Sequence, residues 1–159
     1  MIEPLQLSFD VACSAEHAFT TWTAKTSLWW PHSHSFSGER GIEVRIEPRI
    51  GGRIFERTPA GREFDWGEVT AWDPPRRLAY LWHLRTERTR ATDVEITFTP
   101  LPDGTTRVAI VHTGWERLGS DGQPWRDRNQ AGWSGLLPAF IRACTREAGM
   151  GEQELRGTV

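Results

Sequence analysis

The residues with types and spacing suited to chemistry are few, and histidines lead them. His32 and His34 form an H-x-H pair in the polar segment PHSHSFSGERG. Two imidazoles so spaced can meet one zinc ion from an extended segment. Further ligands would have to come from distant His83, His112, Glu68 or Cys13, and no CxxC or HExxH accompanies them. The pair is therefore read as loop histidines, with no metal and no cofactor expected. Glu68 lies on a strand between Trp66 and Trp72. Strand alternation places Trp66, Glu68, Thr70 and Trp72 on one face and Asp65, Gly67, Val69 and Ala71 on the other. If the first set faces inward, Glu68 is a carboxylate in an indole-lined cavity, with its pKa raised and general acid or base work open to it. If the second does, Glu68 is a surface residue. His112 shares a face with Val108 and Ile110 and precedes Trp115. It is either a hydrogen-bonded core histidine or a ligand contact. Trp115 either closes the mouth of a cavity or packs on the following helix. Trp29 and Trp30 adjoin the histidine loop as a lid or as an anchor for the short helices. No G-x-S-x-G, P-loop or dinucleotide fingerprint is present, so nucleophilic catalysis and nucleotide hydrolysis have no positive signal.

Positioning such residues takes a scaffold, and its elements are legible. Leu5, Leu7, Phe9 and Val11 alternate on a first strand. Ser14 offers an N-cap to a short helix over 15–23 that turns Ala18, Phe19 and Trp22 inward. A second short helix or turn, TSLWW, stops at Pro31. Strands then follow around Ile42–Ile46, 53–57, 62–72, Leu78–Leu84, Val94–Phe98 and Val108–His112, with short, turn-rich links such as TPAG, DPP and PDG. Short links imply an antiparallel meander, because parallel strands need long crossovers. Gly67 in mid-strand suggests a bulge or a close backbone approach. The period then changes: Trp133, Leu136, Leu137, Phe140, Ile141 and Cys144 recur at helical spacing. This predicts a long helix over about 125–147, kinked near Pro138, ending at Gly149 and Gly151 before a loose tail from about 150.

The fold class this implies is α+β: about seven antiparallel strands curved around one long C-terminal helix, the only large apolar partner for the sheet. The chain of 159 residues suits a single domain. Its net charge of -2 gives no drive toward nucleic acid or acidic lipid. Cys13 and Cys144 form no motif, which suits a reducing compartment. The N-terminus has no basic and apolar leader pattern and no stretch of about 18 apolar residues occurs, so a cytoplasmic location is expected. The nine Trp are the compositional outlier, enough to line a cavity or to fill a core.

At this point the sequence resembles a known family. The stretch GGRIFERTPAGREFDWGEVTAWDPPRRLAYLWH, the exit hairpin with His112, Gly114 and Trp115, and the helix start GWSGLLPAF are similar to the activators of heat-shock-protein-90 ATPase and their homologues. That family belongs to the START-like, or SRPBCC, superfamily, which shares the birch-pollen-allergen fold. The resemblance covers about residues 5–147 and implies a helix-grip domain with a cavity between sheet and helix. One fold hosts many activities, and three readings stand. The leading one is a module binding a small, largely apolar molecule, lined by Trp30, His34, Trp66, Glu68, Trp82, His112, Trp115 and Trp133. The second is a cyclase- or hydrolase-type enzyme using Glu68 and His112. The third is a chaperone-activating protein–protein module, and under any of the three the chain is expected as a monomer or homodimer. The eukaryotic activators carry an additional N-terminal domain, whereas the first strand here begins by about Leu5, so little stimulation of the chaperone is expected.

Overall fold

The computed structural model describes the backbone of residues 1–156 and the side chains of residues 1–145. Strand β1 (Leu5–Val11) leads into helices α1 (Ala15–Thr23) and α2 (Thr26–Trp29) and a 3-10 turn at His32–His34. Strands β2 (Glu43–Ile46), β3 (Arg53–Arg57), β4 (Glu63–Asp73), β5 (Arg77–Trp82), β6 (Thr92–Pro100) and β7 (Thr106–Thr113) follow. A 3-10 segment at Trp115–Asp121 then opens helix α3 (Gly122–Arg156). The sheet has seven strands in the order β1-β7-β6-β5-β4-β3-β2, every pair antiparallel. The α+β helix-grip architecture expected from the sequence is the one observed.

Local chemistry accounts for these elements. Ser14 Oγ accepts from the His17 amide at 3.1 Å and caps α1. At the β6–β7 hairpin, Gly104 takes φ +87° and Asp103 Oδ1 receives the Thr105 amide at 3.0 Å. Helix α3 begins three residues before the expected start and runs through Pro138, Gly149 and Gly151 to Arg156, rather than stopping at the glycines. The expected loose tail, about 150–159, falls on residues whose side chains lie outside the described ones. Among the described residues no helix is long and apolar enough to cross a membrane.

Strand β4 settles the question of faces in a way that simple alternation does not anticipate. Its pairing with β3 steps from Asp65 to Gly67, and its pairing with β5 steps from Val69 to Ala71. Each step is a bulge, and each shifts the alternation by one residue. Trp66 and Val69 are therefore both buried, although two-residue periodicity puts them on opposite faces. Trp72 also turns inward, 5.1 Å from Phe19 between ring centroids. Gly67 sits where a Cβ would lie 2.1 Å from the Leu81 carbonyl oxygen, the close backbone approach its position suggested. Glu68 is left pointing outward.

The core lies between the concave face and α3. Phe140 is fully buried against Trp22 and Trp29, with ring centroids 4.8 and 5.1 Å away. Phe19, Phe98, Ile96, Ile110 and Val108 complete this layer. The space beneath the Phe140 turn of α3 is thus filled by side chains. Cys13 and Cys144 are buried in the same interior and are not joined by a disulfide.

Candidate functional site

The open space lies beside the first turns of α3, not beneath its middle. A cleft of about 170 Å³ is bounded there by three segments. The stretch after α2 contributes Trp30, Ser33 and His34. The end of β5 and the turn beyond it contribute Trp82, Leu84 and Arg85. Helix α3 contributes Trp125, Arg128, Asn129, Gly132, Trp133 and Leu136. The helix residues recur at three- and four-residue spacing, so they form one stripe. Gly132 leaves a gap in that stripe, since a Cβ there would touch nothing within 4 Å.

Four indoles thus wall the cleft, and most are held by specific partners. Trp133 Nε1 donates to His112 Nδ1 at 3.2 Å, and Trp30 Nε1 donates to the His34 carbonyl at 3.2 Å. Trp30 stacks at a tilt on Trp66, 5.0 Å between centroids, and Trp66 meets Trp82 edge-on at 5.8 Å. Trp66 forms the floor's support rather than its surface. Its Nε1 donates to Glu56 Oε1 at 2.9 Å.

Glu56 is a group the sequence reading missed. Its carboxylate is fully buried and receives the Phe36 amide at 2.6 Å, the Ser37 hydroxyl at 2.7 Å and the Trp66 indole. A buried carboxylate persists only when its oxygens are satisfied so. Here it fastens the loop that carries His34 to the floor below Trp30. The signal was present in RIFER, where Glu56 shares the inward parity of Ile54. Trp125, Arg128 and Asn129 were missed as well, and their helical spacing from Trp133 could have found them. Arg85 was not legible, because the loop turn that aims it has no periodic signature.

His34 is half-buried in the wall. Its Nδ1 lies 3.2 Å from Ser33 Oγ, and its Nε2 abuts Gly135, where a Cβ would come within 3.1 Å. Burial, and then the charge of Arg85, holds its pKa below the ordinary histidine value. The imidazole is therefore neutral at pH 7 and able to accept a proton. His32 points elsewhere, its Nδ1 bonded to the Gly38 carbonyl at 3.1 Å. Among the described residues no three His, Cys, Asp or Glu side chains converge on a metal-sized site.

Of the eight residues expected to bind, Trp30, His34, Trp82 and Trp133 line the cleft. The other four do not line it. Glu68 is on the outer face, ion-paired with Arg88, because the bulge at Trp66 turned it out. His112 is sealed, not presented to the cleft. Its Nε2 lies 2.6 Å from Thr92 Oγ1, and its Nδ1 takes the Trp133 indole proton. That pattern fixes the neutral tautomer with its proton on Nε2. Burial pushes its pKa down to about 3. Trp115 is buried against it, with centroids 4.2 Å apart, and packs at the start of α3. Trp66 lies one layer below the cleft. The cyclase reading that used Glu68 and His112 therefore fails on geometry, since neither side chain reaches the open space.

Comparison with known proteins agrees with this architecture. An anthrahydroquino-gamma-pyrone synthase, Txn09, complexed with SUM, is 33% identical, with a TM-score of 0.64 over 89% of this chain and 97% of its own. Protein MLL2253 from Mesorhizobium loti aligns with a TM-score of 0.65 at 19% identity, covering 91% of this chain and 98% of its own. CalU16 from Micromonospora echinospora aligns with a TM-score of 0.60 at 18% identity, covering 95% of this chain and 82% of its own. The latter two likenesses speak for the fold alone. No curated protein matches the chain. The sequence profile of the activator of Hsp90 ATPase homolog 1-like proteins matches residues 12–144, and the chain belongs to that family.

Proposed function

We propose that the chain is a cyclase-type enzyme that takes a flat, oxygenated aromatic molecule into the indole-walled cleft and promotes closure of an oxygen heterocycle. The observation that carries the reading is the cleft: Trp30, Trp82, Trp125 and Trp133 enclose an apolar slot with the neutral imidazole of His34 in its wall. Small-molecule sites are concave, mostly apolar and furnished with a few placed polar groups. Indole faces favour offset stacking on flat rings. The 33% likeness to a synthase named for a gamma-pyrone product supports ring closure over simple carriage.

The chemistry asked of the site is modest. A phenolic hydroxyl adds to the carbonyl carbon of a neighbouring diketone side chain, and a C–O bond forms. The hydroxyl proton passes to His34, and the former carbonyl oxygen becomes an alkoxide. That oxygen takes the proton back to give a hemiketal hydroxyl. The adjacent methylene carbon then loses a proton as the C–OH bond breaks and the ring C=C forms. The hydroxyl leaves with that proton as water, so that substrate equals pyrone plus water with no change in oxidation state. Stacking holds hydroxyl and carbonyl in contact, which supplies orientation.

The test uses 1-(2-hydroxyphenyl)-1,3-butanedione, with the chromone absorbance followed against the uncatalysed rate. Closure should accelerate, and His34→Gln should slow it by roughly a hundredfold with KM little changed. Because the folded-state pKa of His34 is lowered, the active neutral form persists through neutral pH. The rate should fall only on the acid side of the ordinary histidine value. Tight binding of the diketone without acceleration would replace catalysis by carriage.

A further inference from the structure

The cleft lining carries basic side chains and no acidic one. Most arginines elsewhere are matched by carboxylates, among them Arg53 to Asp65 at 2.7 Å, Arg77 to Glu95 at 2.8 Å, Arg90 to Asp121 at 2.8 Å and Arg107 to Asp10 at 3.0 Å. Arg85 and Arg128 line the cleft, and among the described residues neither has a carboxylate partner. No Asp or Glu lines the cleft at all. A chain of net charge -2 has thus gathered two unneutralised guanidiniums at one opening.

Backbone geometry singles out Arg85 independently. It is the one non-glycine residue at positive φ among those described, at +68°. That conformation strains a residue with a Cβ, and such strain persists where the surroundings hold it in place, commonly at ligand sites. The hold here is visible, since Arg85 Nη2 donates to the Ser35 carbonyl at 2.9 Å. Most of its five N–H donors stay available for an acceptor in the cleft. Arg128 lies across the face of Trp125, with its Cζ 4.7 Å from the ring centroid. This leaves the guanidinium beside the slot without closing it.

We infer that the cleft is built for a planar aromatic anion, whose flat body lies among the indoles and whose anionic oxygen is met by Arg85 with support from Arg128. The inference rests on the reading of the cleft as an aromatic binding site and names its ligand class, a carboxylate- or phenolate-bearing polycycle. Arg85 is then a specificity-determining residue, not a group that moves protons.

The experiment compares anthraquinone-2-carboxylate with its uncharged isostere anthraquinone-2-carboxamide, by quenching of tryptophan emission. The carboxylate should bind at least about tenfold more tightly to the wild type. That margin should shrink as salt rises. Arg85→Gln should bring the carboxylate down to the carboxamide's affinity and leave the carboxamide within about twofold of its wild-type value. Equal binding of both probes by the wild type overturns the anion inference and leaves the aromatic reading standing. Equal loss of both probes in Arg85→Gln also overturns it, because Arg85 would then be shaping the wall. Failure of both probes to bind the wild type would remove the aromatic reading as well.

Discussion

The two halves of the sheet–helix space are built from the same residue type and end differently. Beneath the later turns of α3, Trp22 and Trp29 close on Phe140, and the Trp29 indole is spent on the Thr21 carbonyl at 2.8 Å. Beside the earlier turns, Trp125 and Trp133 stand on the same helix, yet they face open space. The difference lies in what opposes them. A phenyl ring fills the first half, whereas Gly132 leaves the second half without a side chain. The two histidines repeat the contrast. His112 has both ring nitrogens engaged in the sealed region, and His34 keeps part of its ring in the cleft wall. Tryptophan richness therefore does not mark a site by itself. A site appears where the packing partner is withheld.

The largest effect should come from the filled half. Phe140→Ala removes a fully buried ring wedged between two indoles and should cost about 3–5 kcal/mol of stability by urea unfolding. Indoles cannot collapse far into the void, which favours the upper part of that range. A loss below about 1 kcal/mol would mean that this half is as loosely filled as the other, and the contrast would fail.

Acid should separate the two histidines. Burial holds His112 near a pKa of about 3 in the folded protein, against about 6.5 when unfolded. The unfolded chain therefore binds the proton first, and stability rises with pH through this window. Stability should be flat above about pH 6.5. Below that it should fall by about 1.4 kcal/mol per pH unit at the steepest, with His34 and His83 adding in the same direction. Unfolding midpoints between pH 6.5 and 5, where most carboxylates stay ionised, check this. His112→Gln should flatten most of the slope. An unchanged slope would mean that the proton uptake belongs to another group.

How much of this could be read in advance follows the physics of each element. Strands β1, β6 and β7 declared themselves by alternation, because each has one buried face and one more solvated face, and β5 by the alternation of Leu78, Tyr80 and Trp82. Helix α3 declared itself by the change of period. Strand β4 did not yield its faces, because bulges are decided by register with neighbouring strands and not by the strand's own pattern. That is why Glu68 was placed among cavity candidates; Glu56, by contrast, was legible on β3, where it shares the inward parity of Ile54. Trp30, His34, Trp82 and Trp133, which line the cleft, were legible as candidates because indoles and imidazoles near segment ends are conspicuous. Arg85 depends on a left-handed turn after β5, which the sequence LRTER does not announce.

The smallest effect on stability should come from filling the open half. Gly132 sits inside α3, where glycine costs roughly 0.5–1 kcal/mol relative to alanine through backbone freedom in the unfolded chain. A Cβ at this position meets no atom within 4 Å, so a larger side chain enters the cleft without displacing the core. Gly132→Leu should therefore melt at the wild-type temperature or slightly above it. It should also lose most aromatic-probe quenching, because an isobutyl group between Trp125 and Trp133 occupies the slot. The pairing of the two results is the test. Unchanged stability with unchanged quenching would place the probe elsewhere on the surface. Lowered stability with lost quenching would show that the cleft is part of the packed core, so that the two halves do not differ in kind.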